Sequence, residues 1–126
     1  MIIITDQPID LAPLIEKIDK REAGSVVFHL GVVKPNLAGR QSLGITFTAQ
    51  ANLEEEMKRI EADLRARFKL EDVLLARRMG ELKPGDSILL AAVSARDRES
   101  AFAACREAVE RFKTMSAISK VERFAE

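Results

Sequence analysis

Two lysines near the end of the chain, Lys113 and Lys120, bracket the segment Thr114-Met115-Ser116-Ala117-Ile118-Ser119. A lysine ammonium holds a phosphate or carboxylate as a point charge. Once desolvated, it also serves as an acid or base near neutral pH. Two lysines joined by an extended turn have the reach to line one pocket. Spacing alone favours the plainer reading, two solvated surface lysines. Asp97-Arg98 stands where an apolar run hands over to a helical pattern. Asp97 suits a helix N-cap. Arg98 in the first turn opposes the helix dipole, a mild misfit compatible with an anionic ligand. The segment Lys34–Arg40 carries Lys34, Asn36 and Arg40 between Val33 and the next apolar alternation. Loops on rigid scaffolds often bind ligands, and a solvated hairpin connection is the alternative. His29, the only histidine, and Cys105, the only cysteine, sit within strand and helix patterns and read as structural or surface groups. No nucleophile elbow, P-loop, dinucleotide fingerprint or zinc-ligand spacing is present.

The elements that must position these groups follow from periodicity. Ile2 to Thr5 is a β-branched run and predicts a strand. Leu11, Leu14, Ile15 and Ile18 recur at helical spacing, with Pro13 in the first turn, where its missing N–H is harmless. Ser25 to Val33 predicts a long strand, and Lys34 to Arg40 a loop. Leu43, Ile45 and Phe47 alternate with Gly44, Thr46 and Thr48, which predicts a strand with one buried face. Asn52 is placed as an N-cap with Glu55 in the capping-box position, opening a helix whose stripe is Leu53, Met57, Ile60, Leu64 and Phe68. Val73 to Met79 is another strand, and Glu81 to Asp86 a turn around Pro84-Gly85. Ser87 to Ser94 is nearly continuous apolar sequence, hence a central strand. A last helix begins near Asp97, with Ala101, Phe102, Cys105, Val109 and Phe112 on its apolar face, and ends near Lys113. Met115 to Glu126 is a tail with one extended piece. The order predicts one α+β domain over residues 1–126, with helices packed on a mostly antiparallel sheet.

Composition narrows the function. Lysine plus arginine equals aspartate plus glutamate, 20 against 20, so a nucleic-acid binder relying on bulk positive charge is not expected. A local anion site stays open. No apolar run approaches the roughly 20 residues that a membrane helix needs. Met1 to Asp6 lacks the basic flank of a signal peptide, and one cysteine forms no internal disulfide. A reducing cytoplasm is the expected location.

The order of motifs resembles the large, catalytic subunit family of molybdopterin synthase. Gly24-Ser25-Val26-Val27-Phe28 leading into Gly31-Val32-Val33-Lys34 resembles that family's "GAVVTFxGxVR". Arg77-Arg78-Met79-Gly80-Glu81-Leu82-Lys83-Pro84-Gly85-Asp86 resembles "HRxGxLxxGE". Val93-Ser94-Ala95 through Arg98, then Ala101-Phe102-Ala103-Ala104-Cys105, resembles "VSAxHRxxAFxAC" and is the most specific stretch. Phe112-Lys113-Thr114 through Lys120 and Glu122 resembles "LKxxxPIWKKE".

The resemblance implies an α/β hammerhead fold and a homodimer. It implies a partner, a small ubiquitin-like sulfur-carrier subunit ending in Gly-Gly, whose terminal glycine carries a thiocarboxylate. It implies transfer of two sulfurs from that tail to a cyclic pyranopterin phosphate, making the molybdopterin dithiolene, with no metal or organic cofactor. Lys113 and Lys120 match the family's active-site lysines. Arg98 matches an arginine that helps bind the anionic substrate across the dimer interface, and Lys34 stands where the family usually has a substrate-binding arginine. Asp97, beside Arg98, and Arg40, in the loop after Lys34, complete the expected substrate-binding set. Asp97 replaces a family histidine, Ser119 a tryptophan and Val121 a lysine. Those departures keep an alternative open, a non-catalytic homologue that binds a ubiquitin-like partner or an anionic ligand.

Overall fold

Val73, Leu74, Leu75 and Ala76 are all buried, as are Leu90 to Ala95. Successive residues of a strand point to opposite faces, so these two strands must be covered on both sides. The computed structural model, which describes residues 1–126, shows how. The elements in chain order are β1 (Ile2–Thr5), α1 (Leu11–Lys17), β2 (Ser25–Val32), β3 (Asn36–Leu37), β4 (Arg40–Ala49), α2 (Leu53–Arg67), β5 (Asp72–Arg78), β6 (Gly80–Leu82), β7 (Ser87–Ala95), α3 (Arg98–Lys113) and β8 (Ile118–Phe124). One sheet runs β1-β5-β7-β2, with only the β1–β5 pair parallel. On one of its faces α2 and α3 bury Met57, Ile60, Leu64, Ala104, Cys105 and Ala108 against Val73, Leu75, Ala91 and Val93. On the other, Ile18 and the partly buried Leu14 and Ile15 cover Leu74, Ala76, Leu90 and Ala92. No helix is long and apolar enough to cross a membrane.

The second sheet is built on β4, which pairs with β3, β6 and β8. It meets the first sheet through Val33, Phe47 and Leu82, with Ile45, Met79, Ile88 and Ile118 packed around them. Gly44 has φ +132°, and a side chain there would overlap the Leu82 carbonyl and the Arg123 guanidinium. The space a side chain would need is therefore filled by β6 and β8.

The expected α+β class and element order hold, with five corrections. The predicted Lys34–Arg40 loop contains β3, closed onto β4 by Ala38 and Gly39, both at positive φ. Two consecutive positive φ values suit the twist of a tight hairpin. Glu81 and Leu82 lie in β6, and the turn is confined to the residues after them. Leu43 is exposed while Ser42 is buried, because the β4–β8 register shifts between Ser42 and Gly44 and moves the buried face by one residue. Asn52 makes no side-chain cap bond, since its backbone (φ −96°, ψ 16°) is not the extended conformation that aims a cap. Phe102 is exposed, and the face of α3 against the sheet is instead Ala101, Ala104, Cys105, Ala108 and Phe112. Alanines let the helix approach Ala91 and Ala95 closely, which leaves no room for an aromatic ring there.

Candidate active site

Helix α3 ends at Lys113, and its cap residue Thr114 donates its N–H back to the Arg111 and Phe112 carbonyls. The chain then turns sharply. Glu56, in the first turn of α2, accepts the Ala117 N–H at 2.8 Å and the Ser116 N–H at 3.1 Å. The Gln50 N–H donates to the Ala117 carbonyl at 2.8 Å. These bonds aim the backbone into β8, where Lys120 lies opposite Phe47 of β4. Lys113 and Lys120 therefore face one cleft of about 470 Å³.

The cleft walls are apolar: Val109 and Phe112 from α3, Ile88 and Leu89 from β7, Ile45 from β4 and Ile118 from β8. His29 of β2 contributes from an exposed position. Arg77, the penultimate residue of β5, also lines the cleft, although only 7% of it is exposed. Its guanidinium carbon lies 4.3 Å from the centroid of the Phe47 ring, a distance suited to cation–π attraction. Burial pulls its pKa down to about 10, still well above neutrality. No aspartate or glutamate lines the cleft. None of the molecule's ion pairs includes Lys113, Lys120 or Arg77. In a chain of zero net charge this is a local excess of positive charge between apolar walls. Such a site attracts an anion and stabilises charge that develops on oxygen or sulfur.

The other expected site residues lie elsewhere on this chain. Asp97 and Arg98 line a separate polar groove with Gly24, Ser25, Arg96 and Glu99. The Asp97 carboxylate caps α3, accepting the Ser100 N–H at 2.8 Å and its hydroxyl at 2.9 Å. Those bonds, the backbone one foremost, hold its pKa below the ordinary carboxylate value. Arg98 opens α3 and Lys113 closes it, so the length of the helix, roughly 22 Å, separates them. Arg40 stacks its guanidinium 3.9 Å from the Phe124 ring centroid. Seven positions along β4, roughly 23 Å of extended chain, separate it from Phe47. Lys34 is exposed and follows Val33, which packs on Phe47 below the cleft, but it is not itself a lining residue. One chain thus joins two of the six expected residues. Cys105 is buried, its thiol pushed up to about 11, so it belongs to the core as expected.

Sequence reasoning missed Arg77, Phe47 and His29 as cleft residues. Arg77 had a signal. It extends the alternation Val73, Leu75 on the face that carries the main core, a place where an unpaired charge is costly.

A family model described as MoaE protein matches residues 4–115. The chain belongs to the MoaE protein family. It is 32% identical to the molybdopterin synthase catalytic subunit of Pyrococcus abyssi, over 83% of this chain and 72% of that protein. It is 29% identical to the molybdopterin synthase catalytic subunit of Bacillus subtilis, over 94% of this chain and 76% of that protein. The crystal structure of molybdopterin synthase from Staphylococcus aureus superposes with a TM-score of 0.90 at 25% identity, covering 98% of this chain and 90% of that one. The family match stops before Lys120. The structural likeness runs through nearly the whole chain, so the backbone that carries Lys120 shares the family's fold.

Proposed function

We propose that this chain is the catalytic subunit of a molybdopterin synthase and that the Lys113–Lys120 cleft is its sulfur-transfer site. The observation that carries this reading is the acid-free cleft that both lysines line. The small subunit's C-terminal thiocarboxylate and the phosphate of the pyranopterin are both anions, and the cleft offers cations without competing carboxylates. Sulfur transfer from an acyl thiocarboxylate develops negative charge on oxygen and sulfur. Lys113 and Lys120 are exposed in the free chain. A tail and pterin bound between the apolar walls would displace the water around them, so that their ammoniums stabilise that charge more strongly than in water. The same lysines are placed to move the protons that accompany sulfur addition and water loss. Arg98, a helix length away, reaches such a site only from a second copy of the chain. This is the homodimer that the family resemblance implies.

Reconstitution tests the reading. The folded protein, supplied with a thiocarboxylated small subunit and cyclic pyranopterin phosphate, is expected to form molybdopterin. Lys113→Ala and Lys120→Ala are each expected to lower the rate by about 100-fold or more. A folded wild-type chain that binds its small subunit yet forms no dithiolene would establish the non-catalytic alternative instead.

A further inference from the structure

Arg77 is the one buried cation that no protein group neutralises. It lies near the end of β5, opposite Leu89 of β7 and Ile4 of β1, in line with Val73 and Leu75 on the face that carries the main core. A guanidinium has five N–H donors. Its Nε is buried without a partner, and its terminal nitrogens form neither a hydrogen bond nor an ion pair with the protein. Arg78 shares the buried, unpartnered Nε, but its charge is answered, with Asp86 3.7 Å from a terminal nitrogen, and that of Arg77 is not. The Phe47 ring takes one face of the Arg77 guanidinium. A ring face fixes the plane of the fork but accepts none of its edge donors. Arg77 lines the same cleft as Lys113 and Lys120, and no protein group takes up its terminal donors there. A desolvated, unpaired charge is destabilising in the empty protein. An oxyanion in the cleft would supply both the missing charge and the missing acceptors, and a planar fork binds such a group through two parallel bonds.

We propose that Arg77 is a substrate-binding residue, the fork on the cleft floor that grips an oxyanion of the bound substrate. The shared chemistry is a phosphate or a carboxylate-type terminus. The two sources are the pyranopterin phosphate and the small subunit's C-terminus. This inference rests on the cleft being the substrate site.

The test compares wild type with Arg77→Met and Arg77→Lys. Binding is measured by calorimetry in two arms, one with inorganic phosphate and one with a peptide ending in Gly-Gly carboxylate. Thermal unfolding is followed alongside. Arg77→Met is expected to unfold at the same temperature or higher, because it removes an unpaired buried charge. It is expected to weaken one arm by at least tenfold, and the arm affected identifies the source. Arg77→Lys is expected to restore that arm in part, as charge returns without the fork. Unchanged affinity in both arms with the fold intact would overturn the proposal, as would a large loss of stability, which marks a structural arginine. If the wild type makes no molybdopterin while phosphate or peptide binding still depends on Arg77, the proposed function fails and this inference survives. If the wild type is an active synthase and Arg77→Met leaves its kinetics unaltered, the inference fails and the proposed function survives.

Discussion

At the scale of single residues, chemistry follows surroundings more than residue type. Cys105 illustrates this. Its Sγ donates to the Ala91 carbonyl at 3.6 Å, and burial raises the thiol to about 11. At pH 8 roughly one thiol in a thousand is then ionised, and the thiolate is the reactive form. Iodoacetamide is therefore expected to leave the native protein unmodified for hours at pH 8 and to label it fully in denaturant, as read by mass spectrometry. Fast labelling of the native chain would show that α3 separates readily from β7. The lysine pair is only half legible in the sequence. Charge and spacing describe surface lysines, and the family resemblance raises them to site residues. What unites them is the turn at Ser116-Ala117, which no local pattern announces. The alternation Val73, Leu75, Arg77 signals a charge on the core face, but the pairing of Arg77 with Phe47 joins residues 30 positions apart on different sheets and leaves no local pattern.

At the scale of elements, Glu56 connects helix α2 to the segment that aims Lys120. The predicted capping box assigns the first turn of α2 to its own N-terminus. The structure uses the carboxylate of Glu56 to hold the backbone of a segment 60 residues away. Glu56→Gln keeps the size of the side chain but loses the charge that strengthens two N–H bonds. It is expected to cost about 1–2 kcal/mol in denaturant unfolding. Synthase activity is expected to fall further than stability, because the turn between the two lysines loosens. Activity that stays at the wild-type level would mean that β8 pairing alone sets the lysine geometry. Helices and central strands are legible because long apolar periodicities leave few choices. The short strands β3 and β6 are not, since two or three residues carry no periodicity.

For the whole molecule, two predictions concern charge and symmetry. Asp19, Asp72 and Asp97 all ionise below the ordinary carboxylate value. Asp19 is held down at about 2 by hydrogen bonds from the Arg21 side chain and backbone. Burial alone would raise Asp72, but N–H bonds from Asp19 and Val73 and the Arg65 side chain outweigh it. Carboxylates with lowered folded values stabilise the protein above the unfolded value of 3.8 and lose that contribution as the pH falls through the folded ones. Through these groups, stability is expected to be level from pH 5 to 7 and to drop between about pH 4 and 2. Urea unfolding across that range checks this, and a loss centred above pH 5 would point to other groups. The second prediction tests the shared site. Arg98→Ala and Lys113→Ala are each expected to be inactive. If a second copy supplies Arg98, unfolding and refolding the two variants together restores one intact site in each mixed pair. About a quarter of the wild-type activity is then expected from random pairing in a two-fold dimer. No recovery, with mixed pairs shown by mass spectrometry, would place both groups in one chain or remove Arg98 from the site.

The pairing of β8 with β4 sets Lys120 beside Phe47, more than 70 positions earlier in the chain. Closing so long a loop costs conformational entropy before any strand bond forms. As a strand β8 pairs with β4 alone and so lies at a sheet edge. From there it can detach while the β1-β5-β7-β2 layer stays intact, once the Glu56 bonds to Ser116 and Ala117 and the Arg123 bond to the Leu82 carbonyl let go. Detachment would carry Lys120 away and strip one wall from the Arg77 floor. Catalytic competence and global stability thus need not share a melting point. A ligand that bridges Lys120 and Arg77 would fasten the strand that completes its own binding site.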